Sequence, residues 1–227
     1  DGGYFDANDE KIAVWHAPKD TGDYHVTVRV EDRGEEWSAS RTIQLKVVSR
    51  FDTLYATDDA FTIEDSLDWN SNSDISSWGD LDLFKSSYDI SEVYLKFDLS
   101  SQNRVKSAKL RLTVEEGHRE PILPCFIYRI KKNWSETTLN YINKPEFDPL
   151  PVQYFSVPTV LDRSDYSGLS FYVDITDLFN SWVDDSSNNY GLKISPNAII
   201  YPKYLHSKEM AESEGKPNWS PAIIIEK

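Results

Sequence analysis

Oxygen-bearing side chains stand at alternate positions in one polar segment, at Asp68, Asn70, Asn72 and Asp74. Carboxylate and amide oxygens at this spacing are typical of loops that wrap Ca²⁺. The segment departs from an EF-hand, because Ser73 replaces the turn glycine and Gly79 replaces the bidentate glutamate. The spacing therefore predicts a structural calcium site here, with an ordinary Asn/Ser/Asp-rich turn as the alternative. A second, weaker acidic group comprises Asp58, Asp59, Glu64 and Asp65.

Aromatic residues beside polar ones offer a different chemistry, that of sugar binding. The C–H faces of a pyranose pack on Trp and Tyr, and polar side chains bind its hydroxyls. The candidates are Trp69 and Trp78 in the long polar segment, and Tyr201, Lys203, Tyr204, His206 and Lys208 near the C-terminus. The second group is locally basic in an acidic chain, which suits a carboxylate or sulfate of an acidic glycan. Ordinary aromatic packing, with lysines on a wet face, is the alternative.

Patterns that carry catalysis or tight metal binding are missing from the sequence. The four histidines stand in no zinc-binding spacing, and neither a nucleophile elbow nor a Gly-rich phosphate loop occurs. The single cysteine, Cys125, alternates within a predicted strand and is predicted to be a small core residue. Acidic pairs such as Glu115-Glu116 are solvated surface by default. We therefore predict a non-catalytic protein.

Charge and length narrow the class of partner. The chain has 227 residues and a formal net charge of −14, which argues against nucleic acid as a ligand. The same charge disfavours long anionic polysaccharides, unless a local basic patch or bound cations intervene. No apolar run approaches the roughly 20 residues that a membrane span requires. One cysteine leaves no internal disulfide and does not decide the compartment.

Two units are predicted from the pattern of alternation. In residues 1–49, the segments 24–30 and 43–47 alternate apolar and polar residues, as half-buried strands do, and Asp32-Arg33-Gly34 supplies a turn. The order Trp-x-Ala-Pro, then Gly-x-Tyr-x-Val-Thr-Val, resembles the C-terminal half of immunoglobulin-like and PKD-like surface domains. That resemblance implies a partial domain whose front half lies elsewhere, and hence a longer parent chain.

Residues 50–227 are predicted to be an all-β sandwich. Strands are predicted at 54–63, 81–85, 93–97, 105–114, 125–130, 152–157, 169–173, 190–194, 199–201 and 222–225. One short helix is predicted, with Thr176 as its cap, Asp177 in its first turn, and an apolar face of Leu178, Phe179, Trp182 and Val183. Residues 188–191 end that segment with turn chemistry. Trp134 is predicted to plug the core at a strand end.

Four segments of the second unit occur in this order in one known family. They are 94–100 (YLKFDLS), 105–112 (VKSAKLRL), 134–141 (WSETTLNY) with Asn143 and Pro145, and 173–176 (VDIT) followed by Gly191, 207–209 and 221–225. Together they resemble the DNRLRE-type domain, which is related to the disaggregatase-related repeats of archaeal surface proteins. The resemblance covers most of the chain from residue 50 onward.

The resemblance implies a jelly-roll β-sandwich attached to surface proteins and polysaccharide-degrading enzymes. Some relatives bind acidic polysaccharides such as alginate, so it implies an extracellular or cell-surface carbohydrate-binding accessory module. A structural spacer or adhesion module without glycan binding is the alternative. The Asn-Tyr-Gly motif of the family is replaced here by Ser77-Trp78-Gly79, and the segment 201–218 is extended. Ligand-binding residues usually lie on loops, so those of the family are least transferable to this chain at those two places.

Overall fold

The computed structural model describes residues 4–5, 15–16, 22–31, 38–47, 51–64, 80–87, 89–117, 122–158 and 168–226. The chain divides into two compact units, Asp1–Arg50 and Phe51–Lys227. Within the described residues, every helix is too short or too polar to cross a membrane. Most of these residues are in β-strands, which confirms the predicted all-β class.

The described part of the first unit consists of two antiparallel strand pairs. These are β1 (Tyr4–Phe5) with β2 (Trp15–His16), and β3 (Gly22–Glu31) with β4 (Ser38–Val47). Tyr24 and Val26 are half-buried while His25 and Thr27 are exposed, so the predicted period of two is confirmed in β3. The turn predicted at residues 32–34 lies outside the described residues. The likeness to half of an immunoglobulin-like domain stays a prediction.

The described part of the second unit contains eleven hydrogen-bonded strands and two α-helices. The strands are β5 (Phe51–Tyr55), β6 (Asp58–Ile63), β7 (Asp80–Lys85), β8 (Ile90–Lys96), β9 (Ser107–Gly117), β10 (Leu123–Arg129), β11 (Gln153–Val157), β12 (Leu169–Asp174), β13 (Leu192–Pro196), β14 (Ile200–His206) and β15 (Ala222–Glu226). The helices are α1 (Thr176–Asp184) and α2 (Lys208–Ser213), and short 3₁₀ turns span Ser186–Asn188 and Pro217–Trp219. Every predicted strand has a counterpart, the first being split into β5 and β6.

These strands form two layers. In the first sheet, β11, β10, β13, β8 and β6 lie side by side. In the second sheet, β12, β9, β15 and β5 lie side by side, and β14 pairs with both β9 and β7. A short pairing of β7 with β8 continues the hydrogen bonding from one sheet to the other. This arrangement confirms the predicted sandwich.

Alternate residues of both sheets fill the core between them. Val93 and Leu95 of β8 belong to the same apolar cluster as Leu110 and Leu112 of β9, and all four are fully buried. Cys125 of β10 is also fully buried, which confirms its prediction as a core residue. Burial raises the pKa of its thiol.

Helix α1 packs on this core with Phe179 and Trp182, neither of which has exposed surface, so the predicted apolar face is confirmed. The predicted cap is wrong. The helix begins at Thr176, and the preceding Ile175 makes no side-chain cap bond. Instead, the N–H and the hydroxyl of Thr176 both donate to Asp174 Oδ1, at 2.9 and 2.7 Å. A carboxylate two residues earlier thus satisfies one of the free N–H groups at the helix start.

The turn into β13 requires glycine. Gly191 has a φ of +88°, in the left-handed region that a side chain disfavours. A Cβ atom there would lie 2.2 Å from the backbone oxygen of Leu95. The next residue, Leu192, is the register partner of that same Leu95. The missing side chain therefore lets β13 pair with β8 at this point.

Residues 131–148, between β10 and β11, lie over the outer face of the first sheet and are called the cover loop below. Trp134 packs edge-on against Tyr94 of β8, with ring centroids 5.9 Å apart. Its Nε1 donates to the backbone oxygen of Tyr190 at 2.9 Å. These rings belong to a second, smaller apolar cluster with Ala60, Ile130 and Leu139. Trp134 is buried, as predicted, but in this cluster rather than between the sheets.

Helix α2 lies within the extended segment 201–218, where no helix is predicted. Its cap is Ser207, whose Oγ accepts from the Met210 N–H at 3.0 Å. The Lys208 N–H donates to Asp59 Oδ2 at 2.7 Å. This bond connects α2 to β6, the outermost described strand of the first sheet.

Candidate functional site

The outer face of the first sheet carries aromatic side chains where a solvated face usually carries small polar ones. Because Cys125 and Ile127 of β10 point into the core, the intervening Phe126 and Tyr128 project outward. On the neighbouring β11, Tyr154 projects outward beside the buried Phe155. Phe126 and Tyr154 are direct cross-strand partners. The alternation of two adjacent strands thus places three rings on one face.

Four rings follow one another across this face, in the order Tyr154, Phe126, Tyr128 and Phe147. Successive centroids are 5.4, 6.2 and 5.3 Å apart. We call these four residues the aromatic platform. Tyr154 is 55% exposed, and the other three side chains are half-buried. A row of partly exposed rings offers apolar planes on which sugar C–H groups can pack.

Lys193 of β13 holds its ammonium against the platform. Its Nζ lies 3.3 Å from the centroid of Phe147 and 4.9 Å from that of Tyr128, although the residue is only 3% exposed. The same Nζ donates to Glu92 Oε1 at 2.7 Å, and Ser195 Oγ donates to that oxygen at 2.9 Å. Cation–π contacts and an ion pair together satisfy a charge that would otherwise be costly to bury.

The charge states of this pair follow from its surroundings. Burial alone would raise the pKa of Glu92, but Lys193 and then Lys144 hold that pKa below its ordinary value. Burial lowers the pKa of Lys193, and Glu92 opposes that effect. The hydroxyl of Tyr94 donates to Glu92 Oε2 at 3.2 Å. Burial, followed by the nearby Glu92, raises the pKa of Tyr94. Glu92 is therefore an ionised, fully bonded group beside the platform at neutral pH.

The cover loop supplies a cation that solvent can reach. The Nζ atom of Lys144 lies 3.5 Å from Glu92 Oε2 and 4.0 Å from the ring centroid of Tyr141, and the side chain is 27% exposed. The hydroxyl of Tyr141 donates to Glu64 Oε1. That bond is the main reason that the pKa of Tyr141 rises to about 12. Lys144 can therefore meet an anionic group at the surface, whereas Lys193 cannot.

A concave surface lies at the start of α1, with a volume of about 480 Å³. Its lining includes Lys106, Gln153, Asp174 and Asp177, and none of its lining residues is aromatic. It offers no plane for a sugar to stack on, and its two carboxylates oppose an acidic ligand. The aromatic platform is the better carbohydrate site of the two.

The predicted C-terminal group lies on β14 and α2, away from the platform strands. Lys203 and His206 are buried, with 0% and 1% exposure, and the His206 ring lies 4.8 Å from that of Trp219. Their placement does not fit the predicted direct contact with a glycan, because a buried side chain has no surface to offer. Tyr204 is half-buried. The side chain of Tyr201 lies outside the described residues.

Lys208, the last of that group, contacts acidic side chains. Its Nζ forms an ion pair with Glu136 and lies 3.0 Å from Glu209 Oε1. Asp59, Glu136 and Glu209 each place a carboxylate oxygen within 4.8 Å of the others. Burial, followed by the charge of Glu209, raises the pKa of Asp59 to about 8. The Lys208 ammonium therefore belongs to an acidic cluster rather than to the aromatic platform.

The remaining predicted site residues lie in the segment 65–79, outside the described residues. They are the aromatic candidates Trp69 and Trp78 and the calcium ligands Asp68, Asn70, Asn72 and Asp74. Their roles stay predictions.

Sequence reasoning missed the platform, although β10 contained a signal. Phe126 and Tyr128 occupy the two outward positions that alternate with core residues, and a solvated strand face rarely has aromatic residues at both. Lys193 likewise stands at an outward position between two buried residues of β13. The contribution of the cover loop could not be read from alternation, because a loop has no period.

The comparisons with known proteins give one family. The family model described as carbohydrate-binding module family 96 matches residues 50–220. The matched range includes the whole aromatic platform, the cover loop and Lys193. No curated protein matches the chain.

Proposed function

Because the chain belongs to carbohydrate-binding module family 96, we propose that its second unit is a non-catalytic module that holds a polysaccharide along the aromatic platform. The observation that carries this proposal is the row of four partly exposed rings on one sheet face. Family membership supports carbohydrate as the ligand, and the platform supports a place for it. Hydroxyls beside the rings, such as that of Tyr128, can bond to sugar hydroxyls.

The proposed ligand class is an acidic polysaccharide. Near the platform, the cations Lys144 and Lys193 match the carboxylates Glu92 and Glu64 in number. These four charges therefore balance, although the formal net charge of the chain is −14. Lys144 is the cation that a sugar carboxylate would contact, because an N⁺–H···O⁻ bond is stronger than a neutral one. Lys193 would act indirectly, by fixing the rings of Tyr128 and Phe147.

We further propose that the module serves as an accessory part of a secreted or cell-surface protein, joined to the remainder of a longer parent chain. Membership of the family and the resemblance of both units to surface domains support this proposal. Calcium binding by the loop from Asp68 to Asp74 is a separate proposal. Titrations in Ca²⁺ and in EDTA test it directly.

The test of the binding face compares two exposed tyrosines on opposite sheets. Tyr154 on β11 is 55% exposed, and Tyr172 on β12 is 57% exposed. Calorimetric titration with alginate, polygalacturonate and a neutral glucan measures the affinity of each variant. We expect Tyr154→Ala to weaken binding about tenfold, equivalent to roughly 1.4 kcal/mol. Tyr172→Ala removes an equally exposed ring from the other sheet, so we expect no change in affinity.

Substitutions at Lys144 test whether its charge makes the module bind acidic polysaccharides in preference to neutral ones. Lys144→Gln is expected to weaken binding of the two acidic polysaccharides and to leave binding of the glucan unchanged, whereas Lys144→Arg should still bind the acidic ligands.

Equal losses of affinity in the Tyr154→Ala and Tyr172→Ala variants would refute the platform as the binding site. A folded wild-type chain that binds none of the glycans would favour the structural spacer instead.

A further inference from the structure

Three carboxylates from three different elements meet at the edge of the first sheet. They belong to Asp59 of β6, Glu136 of the cover loop and Glu209 of α2, and we call them the acidic cluster. Their nearest oxygens all lie within 4.8 Å of one another. Like charges this close repel, so the fold holds them together against an electrostatic cost. A cation between them would remove that cost.

Asp59 gives the independent sign that a ligand is missing. The residue is only 3% exposed. Its Oδ2 accepts from the Lys208 N–H at 2.7 Å, but its Oδ1 is buried and receives no hydrogen bond from any described residue. A buried carboxylate oxygen without a donor is costly, and such atoms are rare in folded proteins. An ion bound in the cluster would satisfy this oxygen.

The ammonium of Lys208 fills this role only in part. It contacts Glu136 and Glu209, yet it leaves Asp59 Oδ1 without a donor. Above a pH of about 8, where Asp59 is ionised, one positive charge also stands against three carboxylates. The Lys208 side chain is 28% exposed and has a flexible four-carbon stem, so its head can turn to solvent without unfolding α2.

We propose that the acidic cluster binds a divalent cation, Ca²⁺ in preference to Mg²⁺, between Asp59, Glu136 and Glu209, with the Lys208 ammonium displaced into solvent. Ca²⁺ takes oxygen ligands at 2.3–2.6 Å, so two of its ligands stand at most about 5 Å apart. The 4.8 Å limit of the cluster fits that span. Mg²⁺ demands about 2.0–2.1 Å in a strict octahedron, and hence a tighter group of oxygens.

An ion at this place would hold together three elements that two hydrogen bonds and an ion pair already connect pairwise. The Asp59 N–H already donates to Glu136 Oε2 at 3.3 Å, a long bond between β6 and the cover loop. The ion would strengthen that contact and give α2 a further connection through Glu209. It would thereby hold the loop that carries Lys144 and Phe147. The inference does not depend on what the platform binds.

The test is a Ca²⁺ titration of the full 227-residue chain, first stripped with EDTA, followed by calorimetry and by thermal unfolding. We expect the wild type to bind Ca²⁺ more tightly than Mg²⁺ and to unfold at a higher temperature with it. Asp59→Asn is expected to lose one bound ion. Lys208→Gln is expected to bind that ion about tenfold more tightly, because the competing ammonium is gone.

Two controls keep the result specific. Lys216→Gln removes the same charge from a lysine that pairs with Glu214 at 3.1 Å, and it should leave the affinity unchanged. Asp68→Asn with Asp74→Asn removes the other candidate site. The proposal is overturned if this double variant loses the ion that Asp59→Asn retains. It is also overturned if neither the wild type nor Lys208→Gln responds to Ca²⁺. Glu209→Gln serves as the second ligand deletion, should Asp59→Asn fail to fold.

Discussion

Glu92 and Lys193 place opposite charges in the outer layer of the first sheet, where each is almost fully covered. Glu92 accepts hydrogen bonds from Lys193, Ser195 and Tyr94. A buried ion pair of this kind adds little to stability over an apolar pair of the same size, but removing one partner leaves the other charge stranded. The pair therefore fixes the rings of Tyr128 and Phe147, which Lys193 contacts, more than it stabilises the sandwich.

Replacing Glu92 with Gln should destabilise the protein by about 3 kcal/mol at neutral pH, because the Lys193 charge loses its partner. The folded-state pKa of Glu92 is below its ordinary 4.5, so its contribution is present above that pH. The contribution is lost as the pH falls through the folded-state pKa, where the protonated acid resembles Gln. Urea unfolding of both proteins, at neutral pH and in acid, should therefore show a difference that shrinks in acid.

Glu212→Gln provides the matched control, since Glu212 is exposed on α2. We expect its free energy of unfolding to differ little from that of the wild type at either pH. A difference between Glu92→Gln and wild type that stays constant down to acid pH would contradict the assigned charge on Glu92.

At the scale of elements, glycine positions decide how closely strands can approach. Gly191 and Gly215 both have positive φ, +88° and +69°. A Cβ on Gly191 would strike the backbone of β8, whereas a Cβ on Gly215 would meet nothing within 4 Å. The two positions share the same backbone strain and differ in the space around them.

Alanine substitution at these two glycines separates the cost of backbone strain from the cost of a steric clash. Gly215→Ala should cost about 1 kcal/mol, the penalty of the left-handed backbone alone. Gly191→Ala should cost clearly more, because the pairing of β13 with β8 must also open. Chemical denaturation measures both values. Equal costs for the two variants would show that β8 shifts freely to accommodate the new side chain.

At the scale of the whole molecule, the acidic surface and the proposed acidic ligand repel each other. The formal charge of −14 acts at long range, while Lys144 acts only on contact. Salt screens the first effect strongly, since the Debye length is about 10 Å at 0.1 M ionic strength.

Affinity for an acidic polysaccharide, measured in EDTA, should therefore rise as NaCl increases from about 0.01 to about 0.1 M. Lys144→Gln should bind more weakly at each salt concentration and show the same upward trend. A neutral glucan serves as the control and should show no salt dependence. Affinity that falls with added salt would mean that local cations outweigh the net charge of the molecule.

Alternation made the sandwich predictable from sequence. Strands such as β8 and β9 alternate core-facing residues with residues on the outer face of the sheet, so their positions could be inferred, as could the apolar face of α1. The cap of α1 was not predictable in the same way, because Asp174 reaches forward from the strand before the helix. Helix α2 spans only six residues, too few for a helical period to emerge.

The candidate site was harder to predict, because its parts are distant in sequence. Tyr154, Lys193 and Lys144 come together only through strand order and a loop crossing. Asp59 and Glu209 likewise meet at a sheet edge that no local pattern marks. Conversely, Lys203 and His206 have the residue types of a surface site, but the fold buries both of them.

Cys125 gives the chain a way to report its own opening. Its sulfur is the single thiol of the sequence, it lies in the interior of the sandwich, and its burial disfavours the reactive thiolate. A thiol reagent can modify it only during excursions that part the two sheets. The rate of labelling would then measure how often the two sheets part, without any engineered probe. If glycan or Ca²⁺ slows the labelling, the ligand acts on the opening of the interior itself.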